Sequence, residues 1–265
     1  MAEFIETVHD NGIAIIYFNR PDKRNAFNDQ MRAEYLAALT KVGSDPSVKA
    51  VVLTGRGKGF CAGGDIAGMK QRLTAPPGNV AFNGWSRQQR VHQVQTLLMN
   101  MPKPTIAAVN GAASGLGADT ALACDFIMAR PDASFTWSYI LRGLIPDGGG
   151  MYFLPRRIGL TKAKELIFSG RRILAAEAIN LGIADRLSCE TTLVEEATHW
   201  ARELGAGSST ALALGKGILN QSSELSAQQV FAMGSQAQSI CYTSEEHHAA
   251  VVAFLEKSVS QPTKS

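Results

Sequence analysis

Hydrophobic and polar positions change period several times along the chain. Residues 12–19 (GIAIIYFN) and 50–55 (AVVLTG) are short, nearly continuous apolar runs rich in β-branched residues, the pattern of short β-strands. Between them, 31–42 (MRAEYLAALTKV) repeats its apolar positions every three to four residues and predicts an amphipathic helix. Residues 66–83 contain Pro76, Pro77 and Gly78, which predict a mobile connection without helix. A helical pattern over 85–100 leads into 102–111 (PKPTIAAVNG), a buried strand entering a glycine turn. Residues 115–125 (GLGADTALACD) predict a helix that begins on glycines, and 126–129 and 133–137 return to strand. Strand and helix alternate, so the fold class is α/β.

From about 160 the pattern becomes helical: 161–170, 175–182, 191–205, 209–220, 225–240 and 244–257, with Thr243-Ser-Glu-Glu246 as a capping box for the last. The expected organisation is a mixed core over 1–200 and a helical region over 201–265 that closes a site or forms an oligomer interface. The composition (45% hydrophobic, 18% charged residues among 265) is that of a globular protein. A net charge of +3 gives no case for nucleic acid or a membrane surface, but suits an anionic small molecule. Cys61, Cys124, Cys189 and Cys241 match no C-x-x-C spacing, so no metal site is expected, and reduced thiols point to the cytoplasm. No apolar run reaches the roughly 20 residues of a membrane span.

Two glycine-rich turns carry candidate chemistry. Phe60-Cys-Ala-Gly-Gly-Asp65 follows one strand, and Ser114-Gly-Leu-Gly-Ala-Asp119 follows another and opens a helix. Glycines let the backbone turn sharply and offer N–H groups to a ligand oxygen. One donor from each turn, converging, would form an oxyanion hole for a thioester or ester carbonyl. A dinucleotide fingerprint fails because Thr120 stands where its third glycine belongs, and neither Gly-Lys pair continues as a Walker loop. Ser114 is flanked by Ala112 and Leu116 and makes no nucleophile elbow.

The set NRPDKRNAFN (19–28), FCAGGD (60–65), PKPTIAAVNGAASGLGADTALACD (102–125) and GLIPDGGG (143–150), in that order, resembles the enoyl-CoA hydratase/isomerase family, the crotonase superfamily. The resemblance implies a spiral of ββα units with C-terminal helices that build a homotrimer or a hexamer of paired trimers. It also implies an acyl-CoA substrate, with coenzyme A as part of the thioester and no other cofactor. The oxyanion donors would be the N–H groups of Gly64 and Leu116. The backbone around Ala62 and Ile66 would receive the adenine, and Lys23 or Arg24, with Lys257, are candidates for the CoA phosphates.

The carboxylates decide the reaction. The two glutamates with which hydratases of the family handle water correspond to Asp119 and Tyr139, and a tyrosine cannot act as a carboxylate base. Asp147 occupies the place of the aspartate in similar isomerases, in an I-P-D-x-G-G setting, where one base can carry a proton between carbons. Read alone, without the family resemblance, Asp147 is first an N-cap for a helix over 148–157. The leading expectation is an isomerase (double-bond or ring-epoxide type) with Asp147 as proton shuttle and Asp119 assisting. The alternatives are a hydratase or dehydratase acting through Asp119, an aryl-CoA hydrolytic enzyme with Asp147 as nucleophile and His92 as base, and an inactive CoA- or RNA-binding relative. Trp85, Trp137 and Tyr139 are candidates to line an acyl pocket.

Overall fold

The apolar runs become the middle of a six-stranded sheet in a computed structural model that describes residues 3–189 and 191–260, the side chains of 66, 69, 71, 72 and 257–260 excepted. In chain order the first elements are β1 (Ile5–Asp10), β2 (Ile13–Phe18), α1 (Asp29–Ser44), β3 (Ala50–Gly55), β4 (Gly59–Cys61), α2 (Ile66–Thr74) and α3 (Pro77–Met99). Then come β5 (Thr105–Val109), β6 (Ala112–Ser114), α4 (Leu116–Leu122), β7 (Phe126–Ala129) and β8 (Ser134–Thr136). The remainder is α5 (Gly150–Ile158), α6 (Leu160–Ser169), β9 (Arg172–Leu174), α7 (Ala175–Leu181), β10 (Arg186–Leu187), α8 (Leu193–Leu204), α9 (Ser209–Leu219), α10 (Ala227–Tyr242) and α11 (Glu245–Ser260).

The chain winds as ββα units. In β3–β4, β5–β6 and β7–β8 the first strand joins a sheet of order β1-β2-β3-β5-β7-β10, and the second joins a sheet of order β4-β6-β8-β9. Apart from the β1–β2 hairpin and the β8–β9 pair, neighbouring strands are parallel. This is the expected spiral. One face of the large sheet buries Phe18, Phe27, Tyr35 and Phe60 among the helices, while the other packs Ile15, Val52 and Ile106 against Trp200 of α8. Both faces are therefore covered, which is why β2 and β3 read as unbroken apolar runs.

Two expectations are corrected. Residues 66–83 form α2 and the start of α3 rather than an irregular connection. Asp65 caps α2 by accepting from the Ala67 N–H, and Pro77 stands in the first turn of α3, where a missing N–H interrupts no helical bond. The final helix is capped by Ser244, whose hydroxyl accepts from the His247 N–H, while Thr243 ends α10. The Glu246 carboxylate instead accepts from the N–H groups of Ser209 (3.0 Å) and Thr210 (3.1 Å), docking α11 onto the start of α9. The complete capping box is at Ser226 and Gln229, opening α10.

Candidate active site

β4 and β6 are parallel neighbours, so the glycine turns that follow them leave the small sheet at the same end. Gly63, at φ +92°, lies against the second turn: a Cβ there would stand 2.7 Å from the Ser114 carbonyl oxygen and 3.4 Å from the Leu116 nitrogen. Phe27 donates to the Gly63 carbonyl (2.7 Å) and accepts from the Asp65 N–H (3.0 Å), a single parallel bridge centred on Gly64. In that pattern the N–H of Gly64 itself points away from Phe27. Gly115, at φ 53° and ψ −122°, a conformation open to glycine, sets Leu116 as the first residue of α4. The structure thus brings the two turns together.

The same end of the sheet carries the nucleotide candidates. Lys23 and Arg24 are exposed beside the first turn, where the Ala62 N–H donates to the Arg24 carbonyl at 3.0 Å. Ile66 opens α2. The side chains of Ile66 and Lys257 lie outside the described residues. Arg20, which the sequence did not single out, pairs with Asp65 at 2.8 Å and fixes that turn from behind.

Asp119 is fully buried. Its Oδ1 accepts from Trp137 Nε1 at 3.0 Å and its Oδ2 from the Tyr139 hydroxyl at 2.6 Å, with the Gly148 N–H a further donor. Burial pushes its pKa up to about 7 against these hydrogen bonds, and the nearby Asp147 charge adds to the rise. Burial and the Asp119 charge hold the Tyr139 phenol well above its ordinary value, so it stays a neutral donor. Trp137 is almost wholly enclosed and partners Asp119 rather than facing an open acyl pocket, and Trp85 is largely exposed.

The glycines after Asp147 explain this enclosure. A Cβ on Gly148 would stand 2.6 Å from Asp119 Oδ2, and one on Gly150 would stand 2.4 Å from Asp119 Oδ1. Gly149 takes φ +111° and is the N-cap of α5. Asp147 therefore does not cap that helix; no side chain does. Its N–H donates to the Ile145 carbonyl at 2.8 Å in a three-residue turn, and the residue is half-buried. Burial raises its pKa, opposed by its own N–H and by the charges of His92 and Arg87. His92, exposed on α3, brings Nε2 to 2.9 Å from the Asp147 carbonyl oxygen. The pairing of these two across 55 residues was legible as a candidate, but the contact is to backbone rather than to carboxylate.

Two carboxylates, one enclosed and one half-open, beside two N–H-bearing turns form a constellation suited to removing a proton next to a carbonyl. A crystal structure of an enoyl-CoA hydratase from Polaromonas sp. JS666 superposes with TM-score 0.88 and 31% identity, over 96% of this chain and 97% of that one. Residues 8–263 match the profile of the family described as Enoyl-CoA hydratase/isomerase. A 1,2-epoxyphenylacetyl-CoA isomerase of Escherichia coli (strain K12) is 33% identical over 263 residues, 99% of each chain. A crotonyl-CoA hydratase of Syntrophomonas wolfei is 33% identical over 246 residues, 92% of each. The protein has the fold of the solved enoyl-CoA hydratases. It belongs to the enoyl-CoA hydratase/isomerase family and is an enzyme of that family.

Proposed function

We propose that the enzyme isomerises an acyl-CoA thioester through an enolate, with Asp147 as the base. The N–H groups of Gly64 and Leu116 receive the thioester oxygen, and the turn at Ala62 with Lys23 and Arg24 receives the nucleotide end. Asp147 takes a proton from the carbon next to the thioester or from its vinylogous γ-position. The enolate is held by the two N–H donors, and Asp147 returns the proton to a different carbon, so that a double bond moves and no water is consumed. The supporting observation is the contrast in access. Asp147 is half-buried with a raised pKa, while Asp119 is sealed behind Trp137, Tyr139 and the glycines.

Water addition through Asp119 is the second reading, since relatives include enzymes named hydratases. The enclosure of Asp119, and a tyrosine at 139 that donates to it rather than activating water, favour the isomerase. The test is migration of the double bond in a 3-enoyl-CoA by the wild-type enzyme and by Asp147→Asn, together with a 2-enoyl-CoA in 18O-labelled water. Loss of isomerisation in the variant, without oxygen incorporation by the wild type, is expected. Undiminished isomerisation by Asp147→Asn, or rapid labelling of product, overturns the proposal.

The exposed Phe231, Ile240, Tyr242, Phe254 and Leu255 on α10 and α11 leave an apolar surface that further copies of this chain would cover. Sedimentation is expected to give a particle of three or six chains, and a monomer would contradict it.

A further inference from the structure

We propose that His92 is a positioning residue for Asp147, fixing the carboxylate-bearing turn from the α3 side through a hydrogen bond to its backbone; this rests on Asp147 being the base. The Asp147 carbonyl oxygen can only accept, so the contact of 2.9 Å requires the proton on His92 Nε2. That assignment places the donor on Nε2. Nε2 is therefore occupied and is not the atom that takes a proton from water or substrate.

Such a tether matters because the turn's other ties are local or come from one side. Residues 141–145 are exposed, and Asp147 is followed by three glycines, the residues with the widest backbone freedom. On its C-terminal side the turn is held by Asp119, which accepts from the Gly148 N–H and packs into the space that Gly148 and Gly150 leave. On its N-terminal side Pro146 is buried, but the hydrogen bonds there, from the Asp147 N–H to the Ile145 carbonyl and from the Leu144 N–H to the Tyr139 carbonyl (3.1 Å), stay within the same loop. His92 supplies an anchor from a separate element. It sits next to Val91 and two residues before Val94, both buried, so the ring stands on a part of α3 that is packed into the core. Asp147 is thus held between α4 below and α3 beside it.

The consequence is a loss of orientation rather than of binding. His92→Leu removes the donor, and His92→Gln keeps a donor at similar reach. With a 3-enoyl-CoA, His92→Leu is expected to lower kcat by about 10- to 100-fold, the scale of a misplaced catalytic group, with KM changed little. His92→Gln should recover most of that loss. The melting temperature of all variants is measured alongside, to separate misplacement from unfolding. In an Asp147→Asn background, His92→Leu should lower the residual rate no further, because there is no carboxylate left to misplace.

Each outcome bears on the idea. Full activity in His92→Leu, with Asp147→Asn inactive, overturns the positioning role and leaves the proposed base intact. Full activity in Asp147→Asn overturns the proposed function itself. If His92→Gln is as impaired as His92→Leu at unchanged melting temperature, or if the two losses multiply in the double variant, His92 does proton chemistry of its own and the positioning role fails.

Discussion

Asp119 and Asp147 stand on either side of one glycine run, and the protein treats them oppositely. Around Asp119 the chain places Gly148 and Gly150 where a Cβ would intrude and supplies donors from an indole, a phenol and a backbone N–H. Around Asp147 it leaves a half-open turn with one histidine touching the main chain. Both carboxyls are shifted upward mainly by burial, yet only the second belongs to a partly exposed residue. A raised pKa alone would thus nominate both, and solvent access is what distinguishes them.

The sharpest way to break the comparison is to remove the accessible carboxylate. Asp147→Asn should cost about 100- to 10,000-fold in isomerisation rate, the usual contribution of a general base. Circular dichroism and melting temperature should barely change, since the side chain neither caps α5 nor pairs with a core donor. Because the base must be ionised, the wild-type rate should climb with pH through a value above that of an ordinary aspartate. A comparable loss from replacing Asp119, at unchanged stability, would reverse the assignment of the two groups.

The next prediction probes the space between them. On Gly150, alanine would put a methyl 2.4 Å from Asp119 Oδ1, 2.9 Å from Pro146 Cβ and 3.1 Å from Trp137 Cδ1. None of these is the end of a flexible chain, so overpacking of about 1–3 kcal/mol is expected, with a lowered melting temperature and a displaced Asp147 turn. Gly84 lies in α3 with nothing within 4 Å of the equivalent methyl. Gly84→Ala should instead stabilise by about 0.5–1 kcal/mol. A harmless Gly150→Ala would show that Asp119 is not tightly enclosed.

How far the sequence announced this depends on the distance over which each feature is determined. GLIPDGGG marked Asp147, and FCAGGD with SGLGAD marked the two turns, because backbone conformation there is set by neighbouring residues. The enclosure of Asp119 was not legible: Gly148 and Gly150 matter through atoms of α4, thirty residues away, and no local pattern states that packing. For the same reason the sequence left open whether Asp147 was a cap or a base. Three-residue strands such as β4 and β6 are too short to show a period and exist through their parallel neighbours. β1 escaped notice because IETVHD alternates at a sheet edge and is largely polar. Prolines 76 and 77 suggested a break, and the break is only the junction of two helices.

A third prediction follows from the sign of the Asp119 shift. Its folded pKa, about 7, lies above the ordinary carboxylate value, so between those values the folded state binds the proton that the unfolded state releases. The stability this group contributes is complete at low pH and is lost as pH rises to about 7, at up to about 1.4 kcal/mol per pH unit. Asp119→Asn should remove that slope from a series of unfolding curves between pH 4 and 7. It should also cost about 1–3 kcal/mol at neutral pH, since the amide NH2 faces groups that donate. An unchanged slope would mean that Asp119 does not carry the proton.

The smallest effect is expected at Tyr139, and it bears most directly on water chemistry. Its hydroxyl donates to Asp119 at 2.6 Å, and its ring lies over Gly115, with Cζ 3.6 Å from where a Cβ would be. If the phenol serves only to complete the Asp119 nest, Tyr139→Phe keeps the ring in place and deletes one donor. Because that hydrogen bond lowers the Asp119 pKa, its loss should move the pKa further up and extend the sloping stretch of the stability curve to higher pH. The isomerisation rate should change by less than about tenfold, since a single supporting hydrogen bond contributes on the order of 1 kcal/mol. If instead Tyr139 passes protons to a substrate, where a family hydratase would place a glutamate, the rate should fall by about 100-fold or more. Solvent-oxygen labelling of the same variant then decides which reaction was lost.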